Sequence, residues 1–231
     1  MWQLTTLFYI IGGTLTTAAS LFMFGSYLST GKRVTAYLAL AFLFVGLHAY
    51  AFALPVVIAP GNLILLEQGY IVGIAFIFLV LLTGLEVLRY MVRGISEDFT
   101  NLTGLLLSTL AAVAISVMLT NPETPIIKES GVILWNQDLL ARWIIGLTSF
   151  FYGMVWGIIF YQNSLLVEDG LARSKLYVIS ADGFLLGTIA LLVHTSSNEI
   201  QTIAGHILFI IASMITLAIY VMPRRFFSVH I

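Results

Sequence analysis

Apolar residues fall along this chain in seven long blocks, near 5–29, 34–58, 64–90, 101–120, 138–162, 175–196 and 200–222, and polar residues gather in the short gaps between them. A helix needs about 20 mostly apolar residues to cross the hydrocarbon core of a bilayer, which is about 30 Å thick. Every block reaches that length. None alternates polar and apolar positions as the strands of a transmembrane barrel would. The pattern predicts an all-α polytopic membrane protein, with seven transmembrane helices in one bundle. Residues 1–231 then form a single domain, because the gaps leave almost no chain for anything else.

The gaps carry their own signals. Ser29-Thr30-Gly31-Lys32-Arg33 is short enough to make the first two helices antiparallel neighbours. Leu54-Pro55 and Pro60-Gly61 close the second helix. Arg89, Arg93 and Gly94 give the third a usual C-terminal pattern, and Ser96-Glu97-Asp98 leads into the fourth. The longest gap, from Thr120 to Asp138, holds two apolar pieces, Ile126-Ile127 and Val132 to Trp135. They are expected to lie flat at the membrane surface, with Trp135 at headgroup depth. Pro223 stops the last helix, and Arg224 and Arg225 anchor it.

Composition strengthens the membrane reading. Hydrophobic residues make up 60% of the chain and charged residues 9%, against about 25% charged in soluble domains. The mean hydropathy is +1.03. Without cysteine, disulfides, thiolate metal sites and cysteine nucleophiles are excluded. The net charge of −1 gives nucleic acid no reason to bind. Lys32, Arg33, Arg89, Arg93, Arg173, Lys175, Arg224 and Arg225 fall on one side of the bundle, and only Lys128 and Arg142 on the other. Positive residues stay inside, so the N-terminus is expected outside and the C-terminus in the cytoplasm. On that side Asn101-Leu102-Thr103 is no glycosylation site. Met1-Trp2-Gln3 lacks the basic start of a cleavable signal peptide.

Glycines recur four residues apart at Gly69 and Gly73, Gly153 and Gly157, and Gly183 and Gly187. Such pairs let two backbones approach closely. They serve either packing within the bundle or a homodimer seam.

Polar groups deep in a bilayer are costly and therefore functional candidates. Asp182 is about seven residues into the sixth block, about 10 Å from its inner end. It is either a proton relay or counter-ion, or a carboxyl hydrogen-bonded to a neighbouring helix. Glu86 sits one turn before Arg89, the spacing of a structural ion pair. His48 and His206 lie on antiparallel helices, each about 10 Å from the outer face. If those helices adjoin, the two imidazoles can ligate haem b iron or hold a chlorin, and His194 can join them at a metal. Gly46 and Gly205 would leave room for a macrocycle. The alternative is three neutral histidines hydrogen-bonded to Thr195, Gln201 or Gln68. His230 lies in the tail and carries no site. Glu67, Gln68, Asp138, Arg142 and Glu199 make an outer polar cluster of interfacial character. Tyr70, Trp143, Phe150, Phe151, Tyr152 and Trp156 either line an apolar pocket or pack the bundle. No HExxH, GxSxG, acidic metal motif or phosphate-cradling loop is present, so the chain is not expected to be an enzyme by itself.

Two resemblances follow. Seven helices with the N-terminus outside match the topology of microbial rhodopsins, which bind retinal through a lysine on the seventh helix. Ile200 to Met222 contains no lysine, so no covalent retinal is expected. The Gly31-Lys32-Arg33 turn, Leu88-Arg89-Tyr90, Arg173-Ser174-Lys175 and the exit from Tyr220 to Arg225 resemble the seven-helix N-terminal sensor module of prokaryotic membrane histidine kinases. In those proteins a kinase domain follows; here the chain reaches Ile231 without one. The resemblance implies a receptor-like sensor in a prokaryotic plasma membrane, surrounded by lipid and acting in signal transduction through a partner membrane protein. The histidine pair implies instead a subunit of a membrane redox or photosynthetic complex. A purely structural subunit, recruited by its apolar surface and glycine faces, is the third expectation.

Overall fold

The computed structural model describes residues 3–92, 95–135 and 137–221. The readings placed on Arg93, Gly94, Pro223, Arg224, Arg225 and His230 lie outside those residues. Seven helices follow in order: α1 (Leu4–Thr30), α2 (Arg33–Ile58), α3 (Leu63–Met91), α4 (Glu97–Thr120), α5 (Leu139–Leu165), α6 (Gly170–Thr195) and α7 (Glu199–Val221). They run from 23 to 29 residues, and each is long and apolar enough to cross a membrane. Large side chains such as Leu21, Leu102, Leu119 and Ile200 point outward. That pattern suits a protein whose surroundings are lipid.

Helix ends follow from local chemistry. Gly31 adopts a left-handed φ of 66° and its N–H donates to the Tyr27 carbonyl, closing α1. Ser96 accepts from the Phe99 N–H, and Glu97 and Asp98 fill the first turn of α4. Asp169 caps α6 by accepting from the Ala172 N–H at 2.7 Å. The capping side chains start α4 and α6 four and five residues earlier than hydropathy alone places them. A corrected depth for Asp182 follows: it stands twelve residues into α6, about 18 Å along the axis and so near the middle of the bundle.

Around the bundle the neighbours run α1, α2, α3, α5, α6, α7 and back to α1. Helix α4 leans into the groove between α3 and α5, and few of its side chains are buried. All three glycine pairs are consumed by this packing. A Cβ on Gly153 would come within 2.5 Å of the Gly183 carbonyl, and one on Gly183 within 2.8 Å of the Gly157 N. Gly69 faces Pro55 and the Ala51 carbonyl, whose helical partner Pro55 removes; Gly73 faces the Phe52 ring. Helices α5 with α6, and α2 with α3, thus meet backbone to backbone. Of the two uses the spacing allows, packing within the bundle is the one these contacts show, since those faces meet residues of the same chain.

A second correction concerns the long loop. Ile126–Ile127 (β1) and Ile133–Leu134 (β2) pair antiparallel, with Gly131 at a φ of 79° in the turn. The hairpin does not lie flat on the surface. It folds into the end of the bundle, where the Ile133 N–H donates to Thr5 Oγ1 at 2.9 Å and the Thr5 N–H to the Gly131 carbonyl at 3.3 Å. Val132, Ile133, Leu134 and Trp135 are buried. Trp135 stacks on Tyr70 and packs against Phe52, at 4.9 and 4.8 Å between ring centroids, and its indole N–H donates to the Tyr9 hydroxyl at 3.3 Å. These four aromatics close the hairpin end. The opposite, basic end carries Lys32, Arg33, Arg89, Arg173 and Lys175.

Candidate functional site

Behind the aromatic plug lies a cavity of about 140 Å³, lined by residues of α1, α2, α3, α5, α6 and α7. Its walls are mostly apolar and include Ile77, Leu81, Leu186, Val193 and Phe209. Its polar groups are few: His48, His194 and His206, Ser149, Tyr9 and Tyr152, and Asp182. The three histidines therefore converge on one space, together with the aspartate of the same bundle.

Each histidine is held at one ring nitrogen. His48 Nδ1 donates to the Gly73 carbonyl at 3.0 Å, and His206 Nδ1 donates to the Thr202 carbonyl at 2.6 Å. A carbonyl only accepts, so in the neutral ring both Nε2 atoms are bare acceptors. The Nε2 of His206 is buried and meets no partner within the chain. His194 Nδ1 bonds the Tyr70 hydroxyl at 2.9 Å. None of these partners is Thr195, Gln201 or Gln68, the side chains that spacing suggests. The hydroxyls of Ser149 and Tyr152 are likewise buried and unpartnered.

Asp182 takes a hydrogen bond from Thr216 of α7. Nearly three turns of α7 place His206, Phe209, Ser213 and Thr216 on one face, all of them buried. Ser213 in turn bonds Thr16 of α1 at 2.9 Å, so a polar seam leads from Asp182 to α1. The ion pairs among the described residues join Arg89 to Glu86 and to Glu97, at 3.6 and 3.9 Å. Glu86 thus belongs to an ion pair within α3, and Arg89 reaches from it to Glu97 at the start of α4.

The outer polar cluster divides. Arg142 is positional: its Nε donates to the His194 carbonyl at 3.1 Å and its Nη2 to the Thr195 carbonyl at 2.5 Å. It satisfies the last carbonyls of α6 and fixes the backbone that carries His194. Asp138 caps α5 through the Leu140 N–H. Gln68 is exposed, and Glu67 and Glu199 are half-buried; none of the three lines the cavity. Of the aromatic candidates, Tyr152 and Trp156 line it and Tyr70 belongs to the plug, while Trp143 and Phe151 face outward.

The residues present do not fit a macrocycle. Helix α1 packs against both α2 and α7, and its Tyr9 ring sits 6.2 Å from His48 and 4.6 Å from His206, in the place a porphyrin or chlorin would need. Gly46 and Gly205 leave no slot: a Cβ on Gly46 would strike Thr17, and one on Gly205 would meet Val193 at 2.8 Å. Among the described residues no three histidine or carboxylate side chains converge on a point that would hold a metal ion. What the arrangement offers is a largely apolar chamber inside the bundle with a few fixed polar groups, the usual make-up of a small-molecule site.

No protein-family model, curated protein or solved structure matches this chain.

Proposed function

We propose that this protein is a receptor-like seven-helix membrane protein that binds a small, mostly apolar molecule in its central cavity. The observation that carries this reading is the cavity itself, whose lining residues include His206, Ser149 and Tyr152, with His206 Nε2, Ser149 Oγ and Tyr152 OH buried and unpartnered within the chain. A buried polar group without a partner costs free energy, and a ligand that supplies the partner recovers it. In this reading the protein sits in a prokaryotic plasma membrane with the hairpin end outside and the basic end facing the cytoplasm, an orientation that the charge bias supports. Ligand entry shifts α6 and α7 against α1, and a partner membrane protein reads the shift. The lipid-facing side of α4, which leans only on α3 and α5, is the surface offered to that partner.

Thermal melting in mild detergent tests the reading. A lipid-soluble extract of the host cells should raise the melting temperature of the native protein, because a ligand stabilises only the state that binds it. The variants Leu186→Trp and Ala190→Leu, which fill the cavity, should melt without responding to the extract. An extract that shifts native and filled proteins equally would remove the reading.

A further inference from the structure

The cavity is lined by several acceptors and by no lysine or arginine. Two of its imidazoles present bare Nε2 atoms, because Gly73 and Thr202 fix their protons on Nδ1. Asp182 adds a carboxyl near mid-bundle, already bonded by Thr216. No lysine or arginine is among the residues that line the space, and the ion pairs of the described residues do not include Asp182. A carboxylate held at that depth is stable only if a positive charge or a proton joins it. The hydroxyls of Ser149, Tyr9 and Tyr152 can accept as well as donate.

These features select the ligand's chemistry. An anion would meet the Asp182 carboxyl and the bare nitrogens and be repelled. A polyol would find too few partners for its hydroxyls, because most of the wall is apolar. A molecule with N–H donors, one positive charge and a hydrocarbon body satisfies both the polar atoms and the wall. Resting on the ligand-binding reading above, we infer that the cavity takes a small apolar amine. Its ammonium pairs with the Asp182 carboxylate, and its body lies against Ile77, Leu81, Leu186 and Phe209.

The test compares matched probes on the full chain in nanodiscs: hexylamine and 2-phenylethylamine against hexanol and 2-phenylethanol, with 3-phenylpropionate as the anion. The alcohols correct for simple partition into lipid. Calorimetric titration should show each amine binding at least about tenfold tighter than its alcohol, as expected for a charge-assisted hydrogen bond replacing a neutral one. Asp182→Asn should bring the amines to the level of the alcohols and leave the alcohols unchanged. Thr216→Val, which keeps the carboxyl but removes its donor, should weaken the amines by about three- to tenfold. Equal binding of amine and alcohol, tighter binding of phenylpropionate, or a preference that survives Asp182→Asn would overturn the inference while leaving a ligand-binding cavity. Failure of both amines to bind at millimolar concentration would overturn it too. The cavity reading itself then stands or falls on the response to cell extract.

Discussion

Substituting Gly183 by alanine should destabilise the protein although it adds a single methyl group. A Cβ at that position would lie 2.6 Å from Trp156 Cδ1, 2.8 Å from the Gly157 N and 3.0 Å from the Gly153 carbonyl oxygen. The indole can turn aside, but Gly157 N is backbone. Ordinary contact begins near 3.4 Å, so α5 and α6 must part by about 0.6 Å along a seam that both helices follow for much of their length. Overpacking of this kind costs about 1–3 kcal/mol. At about 2–4 °C per kcal/mol for a chain of this size, the melting temperature should fall by about 2–12 °C. The control is Gly25→Ala. No heavy atom lies within 4 Å of its added Cβ, so only the better helix propensity of alanine acts, and stability should hold or rise by up to about 1 kcal/mol. The assay is tryptophan-detected thermal unfolding of both variants in the same detergent. If Gly183→Ala melts with Gly25→Ala, at or above the native temperature, the account of the α5–α6 seam is wrong.

Three further outcomes follow from the geometry. Arg142→Met should cost about 1.5–3 kcal/mol, because two donors to the end of α6 are lost, and hydrogen exchange should quicken at the Thr195–Gln201 amides; unchanged exchange there would deny Arg142 its positional role. Trp135→Ala should cost about 3–5 kcal/mol and speed tryptic cleavage after the exposed Lys128, whereas Trp135→Phe should fall between native and alanine. Equal cleavage of native and alanine forms would mean that Trp135 does not hold the hairpin. Ser96→Ala should weaken the first turn of α4 by about 1 kcal/mol, read as faster exchange at Phe99 and Thr100 with the other helices unaffected.

Hydropathy made the seven helices legible because length and composition alone decide whether a segment can cross a bilayer. It left their ends blurred. The true starts of α4 and α6 are set by the side chains of Ser96 and Asp169, which a hydropathy window averages away, and the depth of Asp182 shifted with the start of α6. Counting helical rise brought His48 and His206 to one level, and both touch Tyr9. Which helix stands between them depends on the order around the bundle, and that order is not encoded in either helix alone. The spacing of Gly153, Gly157, Gly183 and Gly187 announced close packing without saying that the two pairs meet each other. The hairpin escaped detection for a different reason. Two-residue strands have no period to read, and Trp135 is buried by Phe52 and Tyr70, which come from separate helices. Ser149 was hidden among apolar neighbours. The inward face of His206, Phe209, Ser213 and Thr216 was present in the helical period of α7, where the serine and threonine are the visible signal.

Native mass spectrometry of the protein, drawn gently from its own membrane, tests the central claim most directly. The native chain should carry a small-molecule adduct beyond lipid and detergent, released on mild activation, and the Leu186→Trp chain, prepared alongside, should lack it. Identical spectra for the two chains, with no adduct on either or the same adduct on both, would contradict a ligand held in the central cavity.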